Sequence, residues 1–159
     1  MPANIRLMLK QDKPAVMRIL RNTPEFKPVE VAVAEELIDA YLDSPSASGY
    51  SILIAESGAA LAGYICYGPT PLTESTWDIY WMATARERRG QGVGSALMKA
   101  AEYQIMQAKG GMAIIETSTI PSYENTRRFH LGQGYVIIAS IPDFYAPNDG
   151  KLIMQKLFK

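Results

Sequence analysis

The sequence predicts a mixed α/β sandwich, a mostly antiparallel sheet flanked by helices, in the order β-α-α-β-β-β-α-β-α-β-β. Three adjacent observations carry that expectation. The stretch Trp77-Asp78-Ile79-Tyr80-Trp81-Met82-Ala83 is aromatic and β-branched, which suits a strand. From Val93 through Ala96, Leu97, Ala100, Ala101, Gln104, Ile105 and Ala108 the spacing is i, i+3, i+4 and i+7, the rhythm of a helix. Between them lies Arg88-Arg89-Gly90-Gln91-Gly92-Val93-Gly94-Ser95, whose alternating glycines leave backbone N–H groups uncovered.

The remaining elements follow in order. Asn4 to Leu9 alternates Ile5, Leu7 and Leu9 with polar or flexible positions, so it opens the sheet. Asp12 can cap a helix that tolerates Pro14 in its first turn, with Ala15, Val16, Ile19 and Leu20 as its apolar stripe. Two prolines between Thr23 and Pro28 end it. Val29 to Leu42 is a second helix, with Val33, Leu37 and Tyr41 spaced by four. Tyr50 to Glu56 and Ala59 to Tyr67 are strands joined at Ser57-Gly58, and Gly68-Pro69-Thr70-Pro71 stops the second. Thr76 to Ala83 is a near-continuous apolar run, the pattern of a strand buried on both faces. Gly110-Gly111 ends the long helix where a left-handed backbone is expected. Met112 to Thr119 is the next strand, Ser122 caps a short helix through Leu131, and Tyr135 to Ser140 resumes β structure. Ile141 to Gly150 reads as a loop and Lys151 to Phe158 as the last strand.

A strand feeding a glycine turn and then a helix aims free N–H groups and the positive end of a helix dipole at one spot, which suits a phosphate. Two common phosphate motifs are absent. No Lys-Ser or Lys-Thr follows the glycines, as G-x-x-x-x-G-K-[ST] requires. Ser95 stands where the third glycine of G-x-G-x-x-G would fall, counting from Gly90. A nucleotide-binding protein is therefore supported by the phosphate logic alone.

Written as Arg89-x-x-Gly92-x-Gly94, the turn resembles the R/Q-x-x-G-x-G/A signature of the GNAT superfamily of acyl-CoA-dependent N-acetyltransferases. A second stretch, Tyr123-x-x-x-Arg127-Arg128-Phe129-His130-x-x-x-Gly134-Tyr135, is similar to that superfamily's Y-x-x-x-R-x-F-Y-x-x-x-G-F pattern, with His130 in place of the usual tyrosine. The resemblance covers nearly the full length. It implies the GNAT fold with splayed central strands, acetyl-CoA as cosubstrate, and direct attack by a primary amine from a small molecule or a peptide. It also implies that the backbones of Met82, Ala83 and Thr84 bind the pantetheine arm and acetyl carbonyl. Arg89, Gly90, Gln91, Gly92, Val93, Gly94 and Ser95 would wrap the pyrophosphate, with Arg88 or Arg89 pairing a phosphate and Arg86 a bystander. A non-catalytic acyl-CoA-binding sensor or regulatory module would keep the same turn and release no thiol.

The transfer needs a base for the amine and gains from an acid for the thiolate, since a free thiol has a pKa near ~8.5. His130 and Tyr123 share a helical stripe and are the candidate acids, with Tyr145 more distant. Asp78 and Glu116 on central strands, Glu74 before the first of them, or a water can serve as base. Phe144 and Tyr145, between Pro142 and Pro147, are candidates for the acceptor wall, along with the two N-terminal helices.

The chain of 159 residues suits one domain, residues 1–159, with 16 basic and 16 acidic residues, a balance that favours neither nucleic acid nor anionic lipid. One cysteine, Cys66, and one histidine exclude an internal disulfide and disfavour a zinc site, so no metal is expected. There is no leader-like apolar stretch and no apolar span of about 20 residues, which points to a soluble cytoplasmic protein. Pairing of two copies through sheet edges is left open.

Overall fold

The structure is a computed structural model that describes residues 3–159. Seven strands form one sheet in the order β1-β2-β3-β4-β5-β7-β6. They are β1 (Asn4–Leu7), β2 (Ser51–Ser57), β3 (Ala60–Pro69), β4 (Thr76–Thr84), β5 (Met112–Ser118), β6 (Val136–Ala146) and β7 (Asp149–Leu157). Every neighbouring pair is antiparallel except β4 and β5, which run parallel. The helices are α1 (Lys13–Arg21), α2 (Pro28–Asp43), α3 (Val93–Gln107) and α4 (Glu124–Gly132). Their order along the chain is the expected one.

Two apolar layers hold the sheet. On one face Val16, Leu20, Ala34 and Ile38 of α1 and α2 pack on Ile52, Ile54, Tyr64 and Cys66. On the other, Leu97, Met98, Ala101 and Ile105 of α3 pack on Ile65, Ile79, Ala113 and Ile115, with Phe129 of α4 against them. Because both faces of β2 and β3 are covered, their side chains are apolar on both sides. Cys66 is part of this core, and burial pushes its thiol up to about 12, so it stays protonated and unreactive. Tyr135 is buried beneath α4, where its hydroxyl donates to Glu102 Oε2 at 2.8 Å while Lys156 Nζ donates to Glu102 Oε1 at 2.9 Å.

Several local expectations are corrected. Asp12 does not cap α1; its carboxylate is salt-bridged to Arg6 and accepts from the Leu9 amide, and that pairing holds it below the usual carboxylate range. The left-handed residue after α3 is Lys109, not a glycine. Gly110 is needed for room instead, since a Cβ there would collide with Ile105 and Trp77. Ser122 lies in a 3₁₀ turn ahead of α4 and does not cap it. In α2 the buried positions are Ala34, Ile38 and Tyr41, whereas Val33 is exposed.

The largest correction concerns Ile141 to Gly150, expected as a loop. β6 continues to Ala146 and β7 already begins at Asp149. Pro142 is tolerated because β6 is the edge strand and residues 142–145 fall in a register shift against β7, where no ladder N–H is required of them. β4 also departs from expectation. Only Ile79 and Ala83 are buried, and Asp78 to Thr84 line a cleft rather than a covered face. Among the described residues no helix is long and apolar enough to cross a membrane.

Gly63 on β3 pairs with Thr84, the last residue of β4, so it sets how closely the layers meet there. A Cβ at Gly63 would lie 2.8 Å from the Ala83 carbonyl oxygen and 3.1 Å from Leu97 Cδ1. Gly63→Ala should therefore destabilise the chain by ~1–3 kcal/mol through overpacking. A thermal melt matching wild type would mean that β4 and α3 can yield at no cost.

Candidate active site

β4 and β5 are hydrogen-bonded only from Thr76↔Met112 to Ile79↔Ile115. Beyond that point β4 stays with β3 as far as Thr84, and β5 stays with β7 as far as Ser118, so their facing edges part. Tyr80 is an extra residue in β4, because Tyr67 pairs with Ile79 while Cys66 pairs with Trp81. Such a bulge bends a strand and re-aims its side chains. Arg127 fixes the other prong, donating to the carbonyls of Ser118 and Ile120 at 2.8 Å each. The fork opens into a cleft of about 1120 Å3.

At one end lies the glycine turn. Gly90 and Gly92 have φ of +77° and +81°, and nothing stands within 4 Å of where a Cβ would sit on either. Side chains are strained in that conformation, and glycine also keeps the amides bare. Gly92 is the N-cap of α3 and offers no side-chain cap, so the first N–H groups of the helix remain open to an anion. Gly94 has a different task from the one its place in the motif suggested. A Cβ there would stand 3.2 Å from Phe129 Cζ, so this glycine lets α3 and α4 meet. Arg88 is tied to the β2–β3 turn through Ser57 Oγ at 2.9 Å, while Arg89 faces Glu25 at 3.7 Å. Gln91 bonds the Glu87 carbonyl at 3.2 Å and lies off the cleft.

Two buried polar atoms on the cleft walls have no hydrogen-bond partner, His130 Nδ1 and Thr117 Oγ1. Each belongs to a residue only 5 % exposed. Burial pushes the His130 imidazole down to about 4, so it is neutral near pH 7. The Tyr123 hydroxyl donates to Glu30 Oε2 at 2.8 Å. Burial first, then that bond and the fields of Glu25 and Asp149, hold its proton far above the usual phenol range.

Of the sequence-predicted residues, Met82, Ala83, Thr84, Asp78, Glu116, Tyr123, His130 and Tyr145 all reach the cleft with the glycine turn. Phe144 and Glu74 do not; Phe144 stacks on Tyr145 at 5.0 Å and under Lys151 Nζ at 4.2 Å. Asp78 Oδ2 accepts from Thr70 Oγ1 at 2.7 Å and Tyr80 at 3.3 Å. Glu116 is taken by Lys151 at 2.8 Å. Glu25, Glu30, Asp149 and Thr117 also line the cleft and were not anticipated. The one available signal for Glu30 was its place two residues after Pro28 at a helix start.

A profile of the Acetyltransferase (GNAT) family matches residues 14–135. The chain is 38% identical to a Desulfovibrio desulfuricans protein assigned to the GNAT family of acetyltransferases, over 98% of both chains, with a TM-score of 0.94. Two more distant structures share the fold. An aminoglycoside 6'-N-acetyltransferase complexed with coenzyme A is 18% identical over 97% of this chain and 96% of that one, TM-score 0.76. The PaiA N-acetyltransferase of Thermoplasma acidophilum, in complex with coenzyme A, is 15% identical over 99% and 100%, TM-score 0.77. A search of curated protein sequences gave no match.

The buried, neutral His130 has a consequence for stability. An unfolded histidine titrates near ~6.5. Between there and about 4 the unfolded chain binds a proton that the folded chain refuses. Stability therefore falls as pH drops through this window, by about 3 kcal/mol at ~1.4 kcal/mol per pH unit. His130→Phe should lose that part of the acid sensitivity when urea midpoints at pH 7 and pH 4.5 are compared. Equal acid sensitivity in the two proteins would mean that His130 is charged without cost.

Proposed function

The chain belongs to the acetyltransferase (GNAT) family, and we propose that it transfers acetyl from acetyl-CoA to a primary amine by direct attack at the β4–β5 fork. One observation carries this reading: a bare-amide turn, a fork of unpaired strand edges and two orphaned polar atoms open into the same cleft. Unpaired backbone edges beside buried polar atoms are costly unless a ligand meets them. An elongated polar molecule with a diphosphate at one end fits that set. Gly90, Gly92 and the first turn of α3 hold the phosphates, joined by Arg89. The free edge of β4 at Met82, Ala83 and Thr84 aligns the arm.

Bound acetyl-CoA supplies an acetyl group already activated as a thioester. The chain's own residues then manage two protons. Asp78 has one carboxylate oxygen free of partners among the described residues and takes the ammonium proton, directly or through a water. The neutral amine nitrogen forms the new C–N bond as the C–S bond breaks, and the second proton, shed by that nitrogen, passes through water to the departing thiolate. His130, neutral, donates a hydrogen bond from Nδ1 to the departing sulfur; a ring this resistant to charge does not act as an imidazolium acid. Tyr123 keeps its proton too firmly to yield it readily, and serves to fix Glu30.

Gly92→Val tests the phosphate assignment. A branched side chain at φ +81° both strains the turn and covers its amides. Coenzyme A affinity should fall more than about ten-fold, or ~1.4 kcal/mol. Unchanged calorimetric affinity in a folded variant removes the assignment. Acetyl transfer itself is tested by thiol release from acetyl-CoA over a panel of amines, and a chain that binds coenzyme A yet acetylates none of them is a sensor.

We also read β6 as the edge through which two copies pair. It ends the sheet, so one row of its N–H and C=O groups has no partner in the chain. Val136, Ile137, Ile138, Ile141, Phe144 and Tyr145 on it are each 41–55% exposed. A long apolar edge invites another strand, and an antiparallel copy about a two-fold axis matches it side chain for side chain. Six large side chains, each burying up to ~100 Å2, supply at most ~600 Å2 of the ~800 Å2 per partner of a standard interface, the strand backbone and its neighbours adding the rest. Sedimentation should give a dimer and Ile138→Lys a folded monomer; a wild-type monomer at micromolar concentration contradicts the pairing.

A further inference from the structure

A buried ionic network lies behind the cleft wall, and its members Glu102, Tyr135 and Lys156 line none of the cleft. Glu102 of α3 is 5% exposed, and its carboxylate accepts from the Tyr135 hydroxyl at 2.8 Å and from Lys156 Nζ at 2.9 Å. Lys156 of β7 also donates to the Gln133 carbonyl at 2.8 Å, passing over Gly134, whose φ of +96° favours glycine. Tyr135, 1% exposed, leads into β6. Burial first, then the Glu102 charge and hydrogen bond, hold its proton above the usual phenol range, so the hydroxyl remains a donor.

Stability alone does not call for such a network. A buried ion pair gains little over apolar residues of the same volume, because desolvation offsets the attraction. A fully bonded network does fix geometry, since each member holds the others to one arrangement. What this one fixes is the end of α4. Tyr135 N donates to the His130 carbonyl at 3.1 Å, and Gln133 N donates to the same carbonyl at 3.0 Å. Lys156 then grips Gln133 from the sheet side.

His130 needs a hold of this kind. Its Nδ1 has no partner in the chain to aim it. A hydrogen bond at one ring nitrogen ordinarily sets a histidine's direction, and the ring's own torsion is broad and only two-fold. Here the direction comes from two walls, the rings of Phe129 at 5.4 Å and Tyr135 at 6.2 Å, inclined at 65° and 67°. Phe129 has no polar atom to tether it. Tyr135 is tethered through its hydroxyl to a carboxylate on a different helix.

We propose that Glu102 and Tyr135 are positioning residues for His130: the carboxylate fixes the phenol ring, and that ring holds the imidazole with Nδ1 towards the fork. The inference rests on the acetyl-transfer reading and adds to it two residues that touch neither cosubstrate nor acceptor. No proton travels along the network, and its members keep their protonation throughout. Because α3 starts at the glycine turn and carries Glu102 further along, one helix references both the phosphate site and His130. Loss of the hydroxyl therefore acts on departure of the sulfur and spares binding.

Tyr135→Phe removes the hydroxyl, keeps the ring and leaves Glu102 paired with Lys156. With acetyl-CoA and the amine of the panel that wild type turns over fastest, kcat should fall at least about three-fold, while KM for acetyl-CoA and calorimetric affinity for coenzyme A stay within about two-fold. His130 is the only histidine in the sequence, so its Hε1 proton gives a single NMR signal, which should shift or broaden in Tyr135→Phe. In a His130→Phe background the same substitution should change kcat by less than about two-fold, as two residues acting through one group require. Glu102→Gln keeps an oxygen for the hydroxyl and should hold the signal in place, whereas Glu102→Leu should move it. That pair carries the test if Tyr135→Phe does not fold. A kcat drop of equal size in both backgrounds, or a signal that Tyr135→Phe leaves unmoved, overturns the positioning role and leaves acetyl transfer intact. A wild-type chain that binds coenzyme A and releases no thiol with any amine overturns both.

Discussion

The parting of β4 from β5 is the constraint on which the site depends. Two parallel strands in mid-sheet would ordinarily pair along their length, since each unpaired buried N–H or C=O is costly. Here pairing lasts four residues on each strand and then stops. Each prong is nevertheless secured on its outer side, β4 by β3 and β5 by β7, so the fork is held rigid. The bulge at Tyr80 and the Arg127 bonds to the end of β5 keep it from closing. The cleft lies along the edges this separation exposes.

A cleft made this way also gathers charge of both signs. The whole chain carries 16 basic and 16 acidic residues, which suggests no electrostatic character at all. Around the cleft both signs are concentrated: Arg88 and Arg89 with the N-terminus of α3 line it, and so do Glu25, Glu30, Glu116 and Asp149. Opposite charges lining one cleft shape a local field that the chain's overall balance does not report. Net charge bears on none of this. The Arg89–Glu25 contact, at 3.7 Å, joins the two signs and is weak enough to be exchanged.

The glycine turn was legible because its requirement is local. Positive φ, bare amides and a helix start all lie within a few consecutive residues, and residue types alone report them. Element order was legible for the same reason, since periodicity switches cleanly between 2 and 3.6. What failed was non-local. Thr76 to Ala83 read as buried on both faces because apolar composition cannot distinguish a covered strand from one facing a cleft. Val33 read as core and instead stands on the cleft wall. Ile141 to Gly150 read as a loop, but β6 runs on through Pro142, because on an edge strand a missing N–H costs nothing. Glu25, Glu30 and Asp149 line one cleft from the α1–α2 connection, α2 and β7, and no spacing rule links residues so far apart.

His130 brings these arguments to one atom. Its ring is buried beside Phe129 and Tyr135, centroids 5.4 and 6.2 Å away, where an aromatic residue of any kind would fill the space. Packing alone therefore does not call for a histidine. A phenylalanine would avoid the unpaired Nδ1, whose burial costs on the order of 1–3 kcal/mol. The same cost falls on Thr117 Oγ1, which valine would avoid at nearly equal volume. Two such losses on the walls of one cleft are hard to account for by stability. They make sense if the folded chain is completed by what it binds. A ligand that satisfies both atoms recovers that free energy on binding and stabilises the folded chain by the same amount.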